Sequence, residues 1–307
     1  MAAPRHAWFW LILGLVTASQ SGNIIRIGEA EPVAIAFWRV ALALVVLVPL
    51  SLSQTPALFS LGRRGWLLLL ASGLALAAHW LTWIAAVQRT TIANASVLFA
   101  ANPVLLATAG HFLFGERVGR LLLASIGLGV SGVIVMSVGN FRINPDQWVG
   151  DLLAILTAVF FAMYFLAGKV LRRSLPGRIY VSSIYLVACF FFAVVLVAQD
   201  LPVIRYDGRT WLCFVGMALL PTLLGHTGLN IALKYFDVGR LSVSTLSEPL
   251  LAGLVAWIAW SEALTIQTSI GYLLICGSVV LLAIDQEPWS PARPTRSHQE
   301  GKDNELP

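Results

Sequence analysis

Charge is scarce in this sequence: its 307 residues include 20 lysines and arginines and 15 aspartates and glutamates, together 11% of the chain. A soluble domain carries roughly a quarter of its residues as charge, so there is too little polar surface here to cover a water-soluble globule. Cysteine is scarcer still. The three present, Cys189, Cys213 and Cys276, each lie within an apolar run and show no metal-type spacing. A thiol there behaves as a small hydrophobe, and neither a disulfide nor a bound metal is expected. The sequence also lacks a phosphate-binding glycine loop, a nucleophile with a nearby base and a nucleotide-binding domain. These absences argue against an enzyme, against any cofactor and against transport driven by nucleotide hydrolysis. The formal charge of +5 is not gathered into one patch but lies between apolar runs, so no nucleic-acid partner is expected and the basic residues read as topology signals.

What the chain has in abundance is long apolar stretches, 58% of its residues being hydrophobic. A helix needs about 20 such residues to cross a hydrocarbon core of about 30 Å. Stretches of that size run near Trp8 to Ile25, Pro32 to Leu52, Trp66 to Val87, Thr91 to Phe114, Leu121 to Val138, Trp148 to Leu171, Ile179 to Ala198, Trp211 to Leu233, Gly239 to Trp260 and Thr268 to Ile284. Lipid offers no partner to a free amide, so helix is the form expected of all ten. The first is long enough, and followed by enough others, to be a retained helix rather than a signal peptide. After Asp285 the chain turns polar, with Pro288, Pro291 and Pro294, as suits a disordered tail.

Lysine and arginine are enriched in cytoplasmic loops. With the N-terminus inside, 14 of the 20 fall on the cytoplasmic side, among them Arg63, Arg64, Lys169, Arg172 and Arg173, five fall outside, and Arg39 lies within the second span. Both termini are therefore expected in the cytoplasm of a bacterial inner membrane.

The fourth and ninth spans share a pattern. Asn102-Pro103 continues to Phe114-Gly115-Glu116, and Glu248-Pro249 continues to Trp260-Ser261-Glu262; both the prolines and the terminal glutamates are 146 residues apart. His79 and His226 fall near the same offset. Each half thus holds five spans, an odd number, so the second half enters the membrane from the opposite side. The expected fold is all-α and membrane-embedded, ten helices as two inverted five-helix repeats around a central cavity. Residues 1–140 form the first repeat, 148–285 the second and 286–307 a polar tail. Inverted repeats suit alternating access around a site at mid-depth; a duplicated bundle without transport is the bland alternative.

The run Phe37-Trp38-Arg39, the paired proline-to-glutamate segments and the ten-span duplicated layout resemble the drug/metabolite transporter superfamily in its EamA-type branch. The detail of the first half, with His79-Trp80 and Asn102-Pro103, looks most like the YddG group of aromatic amino acid exporters. That resemblance implies an inner-membrane secondary transporter exporting small metabolites, foremost aromatic and other apolar amino acids. The second half departs from the first in carrying Glu248 where the first has neutral Asn102. Two other readings stand beside it: a transporter of phosphorylated solutes such as nucleotide sugars, which needs several cavity-facing cations, and a membrane scaffold or lipid-modifying protein. A small-molecule substrate and the bilayer are the expected partners, and a monomer is compatible with this layout.

Polar groups inside a membrane are costly and face a cavity, a partner or the bundle interior. Glu248, roughly ten residues into its span and so about 14 Å deep, either binds a substrate ammonium or proton or acts as a strut held by Ser244. Pro103, Pro221 and Pro249 each free a backbone carbonyl one turn earlier, for a substrate or as the mark of a hinge. His79 shares a helix face with Trp83, and Trp80 borders it; these form a wall for an aromatic substrate or belong to packing. Thr222, His226 and Asn230 form a stripe that binds substrate or joins helices, with Gly225 and Gly228 allowing close approach. Gln20, Asn23, Asn102 and Tyr164 complete the candidate lining. Arg39 either snorkels outward or pairs internally.

Overall fold

A computed structural model describes residues 4–90, 92–137, 147–260 and 265–284. Glu262, Arg142 and the tail 286–307 lie outside the described residues. The ten expected spans are all present, with ends displaced by at most three residues: α1 (Arg5–Ile25), α2 (Pro32–Gln54), α3 (Arg63–Arg89), α4 (Asn94–Phe114), α5 (Arg120–Ser137), α6 (Trp148–Leu171), α7 (Gly177–Ala198), α8 (Gly208–Ala232), α9 (Val238–Ala259) and α10 (Ile266–Ile284). Each is long and apolar enough to cross a membrane. Large apolar side chains such as Phe112, Phe190, Ile258 and Leu273 are exposed on the outside of the bundle, where only lipid would make their exposure favourable. The chain is a multi-pass membrane protein.

The helices pack with a pseudo-twofold relation between the halves. Helix α3 lies on α6 as its counterpart α8 lies on α1. Likewise α7 touches α3 as α2 touches α8, and α4 touches α6 as α9 touches α1. Three helices of each half also meet their own counterparts, α2 with α7, α4 with α9 and α5 with α10. Glycines set the closest crossings. A Cβ at Gly132 would lie 2.8 Å from the Gly271 carbonyl, and one at Gly271 would lie 2.6 Å from the Gly132 carbonyl, so α5 and α10 meet backbone to backbone. Gly14, Gly225 and Gly228 do the same where α1 crosses α8.

Three spans are not continuous. Helix α4 divides into Ile92–Phe99 and Asn102–Phe114, α9 into Val238–Thr245 and Glu248–Trp260, and α1 into Arg5–Ala18 and Ser21–Ile25. In α4 and α9 the proline is not a kink inside one helix: it is the second residue of a new one, where its missing N–H costs nothing and its fixed φ suits the first turn. Pro221 acts differently. It lies in a π-helical stretch, Ala218–His226, where bonds reach five residues rather than four, and the Met217 carbonyl, to which Pro221 cannot donate, accepts from Thr222 Oγ1 at 2.7 Å.

The core between α2, α3, α6, α7 and α8 is aromatic, and its hydroxyls are paired. Tyr180 shares a hydrogen bond with Ser72 at 2.9 Å, Tyr185 donates to the Thr222 carbonyl at 3.1 Å, and Asn230 donates to Tyr164. In lipid an unpaired polar group would cost several kcal/mol, so these bonds fix how the helices register.

Candidate functional site

The breaks in α1, α4 and α9 border one cavity of about 570 Å³. Its lining draws on Arg26 at the end of α1, Ser137 at the end of α5 and Thr265 before α10. All three mark the face opposite the N-terminus, and the cavity opens there. Its wall is a continuous set of rings: Trp83 lies 5.7 Å from Phe99, Phe99 5.5 Å from Phe161, Phe161 5.0 Å from His79 and His79 5.8 Å from His226. Trp80 closes the set, its Nε1 donating to His226 Nε2 at 2.9 Å.

Of the residues singled out from the sequence, Asn23, Arg39, His79, Trp80, Trp83, His226 and Glu248 line this cavity, together with Pro103 and Pro249. Glu248 opens the second half of α9, and its half-buried carboxyl meets the partial positive charge of a helix N-terminus. Ser244 does not hold it, since the Ser244 hydroxyl donates to the Arg240 carbonyl at 3.1 Å. Among the described residues, no hydrogen bond or ion pair engages the Glu248 carboxyl. His79 Nδ1 donates to the Thr157 carbonyl at 3.1 Å, because a carbonyl only accepts; that leaves Nε2 as an acceptor.

The other candidates lie outside the lining. Gln20 bonds to Asn23 at 3.0 Å, and Asn23 donates to the Ala252 carbonyl at 3.0 Å, so the pair staples the break in α1 to the second half of α9. Asn102 is fully buried and reaches Thr245 Oγ1 at 3.4 Å, linking α4 to α9. Tyr164 and Asn230 hold α6 against α8, and Pro221 and Ser244 are buried away from the opening. Phe99 and Phe161 line the cavity without having been singled out; nothing in their neighbourhood separates them from ordinary packing phenylalanines. Arg39 does not snorkel. It is 1% exposed, its Nε donates to Thr222 Oγ1 at 2.9 Å and its guanidinium lies 4.4 Å from the Trp80 ring centre.

At the N-terminal face a set of contacts joins α4, α6 and α9. Gly115 ends α4 in the left-handed region at φ 66°, where glycine meets no Cβ penalty. The turn brings Glu116 back so that its carboxylate accepts from the Val238 amide at 3.1 Å, capping the first half of α9. Lys169 lies 3.9 Å from Glu116 and donates to the Leu233 carbonyl at 3.3 Å and to that of Phe236. Burial pushes the Glu116 carboxyl up to about 7, against the pull of Lys169.

Comparison with known proteins agrees with this architecture. The EamA-like transporter family matches the chain twice, over residues 6–138 and 148–284, one match to each five-helix half. An uncharacterised transporter of Archaeoglobus fulgidus is 27% identical over 90% of this chain and 96% of its own length. The aromatic amino acid exporter YddG of Ancylobacter novellus is 24% identical over 66% of this chain and 70% of its own. A protein of known crystal structure superposes with a TM-score of 0.78 at 20% identity, over 91% of this chain and 96% of that one, and so shares the fold. With both halves of the bundle matched and its helices packed around a central cavity, the chain belongs to the EamA-like transporter family.

Proposed function

We propose that this protein exports small metabolites, foremost aromatic and other apolar amino acids, across a bacterial inner membrane by alternating access. The observation that carries the reading is the pairing, on one cavity, of an unengaged carboxyl with an aromatic wall: Glu248 faces the space bordered by Trp80, Trp83, Phe99 and Phe161. A carboxylate at that place attracts an ammonium, and rings at that spacing accept an indole or phenyl group by stacking or edge contacts. The volume of about 570 Å³ lies in the range of small-molecule sites. The name of the relative YddG supports the same class of cargo.

The excess of basic residues at the N-terminal face supports a cytoplasmic orientation for it. On that orientation the present conformation is open outward, and the Glu116, Lys169 and Val238 contacts close the cytoplasmic side. The pseudo-twofold packing supplies the opposite state, because exchanging the conformations of the two halves opens the other face. A phosphorylated cargo fits less well, since the lining sets the carboxylate of Glu248 against Arg26 and Arg39 rather than gathering cations alone.

Counterflow tests the reading. The purified chain in liposomes preloaded with unlabelled tryptophan is expected to accumulate labelled tryptophan faster than protein-free liposomes. An absence of flux for tryptophan, phenylalanine and threonine alike would overturn it.

A further inference from the structure

Two side chains that line the cavity each carry a buried polar atom whose hydrogen-bonding capacity the fold does not use: Arg39 Nη2 and His226 Nδ1 have no partner. Their chemistry is fixed by their other bonds. The indole N–H of Trp80 can only donate, so His226 Nε2, which it meets at 2.9 Å, must accept. In the neutral imidazole the proton is then on Nδ1, which makes the unpartnered atom a donor. Arg39 is a donor at every nitrogen and remains cationic in proteins. Its Nε is engaged by Thr222, and among the described residues no carboxylate lies within ion-pair distance of it. Both groups sit beside one ring, the guanidinium 4.4 Å and the imidazole centre 5.1 Å from the centre of Trp80.

Two free donors, one of them a buried cation with no counter-charge, describe a vacancy for an anion. A buried unpaired charge is strongly unfavourable, and an arriving oxyanion would offset that cost. The planar fork of a guanidinium matches a carboxylate in particular. Glu248, the group of opposite sign on the same cavity, has no such capacity.

We propose that Arg39, assisted by His226 Nδ1, is the carboxylate-recognising group of the transport site, so that a zwitterionic α-amino acid is held with its carboxylate at Arg39 and its ammonium toward Glu248. This inference rests on the amino-acid reading above, and it adds a requirement that reading does not contain: the cargo must carry an anionic head.

The test is calorimetric binding to the purified chain in detergent of three probes that share an indole: tryptophan, tryptamine, which lacks the carboxylate, and indole-3-propionate, which lacks the ammonium. Losing a charge-assisted hydrogen bond costs roughly 10- to 100-fold in affinity. Arg39→Gln is expected to weaken tryptophan and indole-3-propionate by that factor while leaving tryptamine within about twofold, an internal check that the site is still folded. An unchanged ratio of tryptophan to tryptamine affinity in the variant would overturn the proposal, because a purely structural arginine weakens both alike. If Arg39→Gln does not fold, Arg39→Lys replaces it in the same comparison: a reduced ratio supports the guanidinium fork, and an unchanged ratio overturns it. Should the unaltered protein bind indole-3-propionate through Arg39 but not tryptophan, the amino-acid reading fails while the anion subsite stands. If it binds neither carboxylate, the subsite fails whatever else the protein carries.

Discussion

Trp80 and His226 are joined by a 2.9 Å hydrogen bond across 146 residues of chain, the same separation as Pro103 and Pro249. The bond thus ties α3 of the first half to α8 of the second. It sits at the base of the cavity, between the ring wall and the buried guanidinium of Arg39.

Trp80→Phe keeps most of the ring but removes the donor, leaving His226 Nε2 buried without a partner. An unsatisfied buried acceptor costs about 1–3 kcal/mol. The variant is expected to unfold at a lower temperature than the unaltered protein in the same detergent. An equal melting temperature would show that the bond does not hold α3 to α8.

Glu248→Gln keeps shape and removes charge. Counterflow of tryptophan in liposomes is expected to drop by at least about tenfold, the loss of one ion-pair hydrogen bond to the ammonium. Binding of indole-3-propionate, which has no ammonium, is expected to persist. Undiminished tryptophan flux would remove the carboxyl from substrate recognition.

Stability should depend on Glu116 in a window set by its shift. An unfolded carboxyl titrates near 4.5, whereas in the folded protein burial raises Glu116 to about 7. Between those values the folded state holds a proton that the unfolded state has released. The contribution is fully present below about 4.5 and is lost as pH rises through about 7. Melting temperatures measured from pH 4.5 to 8 are expected to fall more steeply with pH for the unaltered protein than for Glu116→Gln. Parallel profiles would mean the contact at the N-terminal face carries no such linkage.

Two glycines on α5 give opposite expectations. A Cβ at Gly132 meets the α10 backbone, so Gly132→Ala is expected to lower the melting temperature through overpacking of about 1–3 kcal/mol. Gly127 has nothing within 4 Å of a Cβ, so Gly127→Ala is expected to raise it slightly through helix propensity. Shifts of the same sign in both would argue against a backbone-to-backbone crossing of α5 and α10.

The spans were readable because a segment in lipid has one way to satisfy its amides, and the repeat because Pro103 and Pro249 precede glutamates at one spacing. The breaks were not. Nothing in Ala100-Ala101 or Leu246-Ser247 differs in composition from a continuous helix, and the interruption becomes visible only when the second half-helix starts on Asn102 or Glu248. Site membership was legible only in part for a related reason. Polarity within a span marks a residue as needing company without saying which: His79, His226 and Glu248 find the cavity, whereas Gln20, Asn102, Tyr164 and Asn230 find other side chains or the backbone. For Arg39 the sequence left open whether it reaches the interface or pairs internally, and only its neighbours Thr222 and Trp80 reveal that it stays inside.

The interruptions of α4 and α9 occur at matching positions of the repeat, so each of these spans is a pair of short rods with a joint between them. In the proposed alternating-access cycle, a rod on one face swings without dragging its partner on the other, and the two joints divide the movement between them. Welding one joint into unbroken helix while sparing the other would make the molecule lopsided, at home in one end state and a poor visitor to its counterpart.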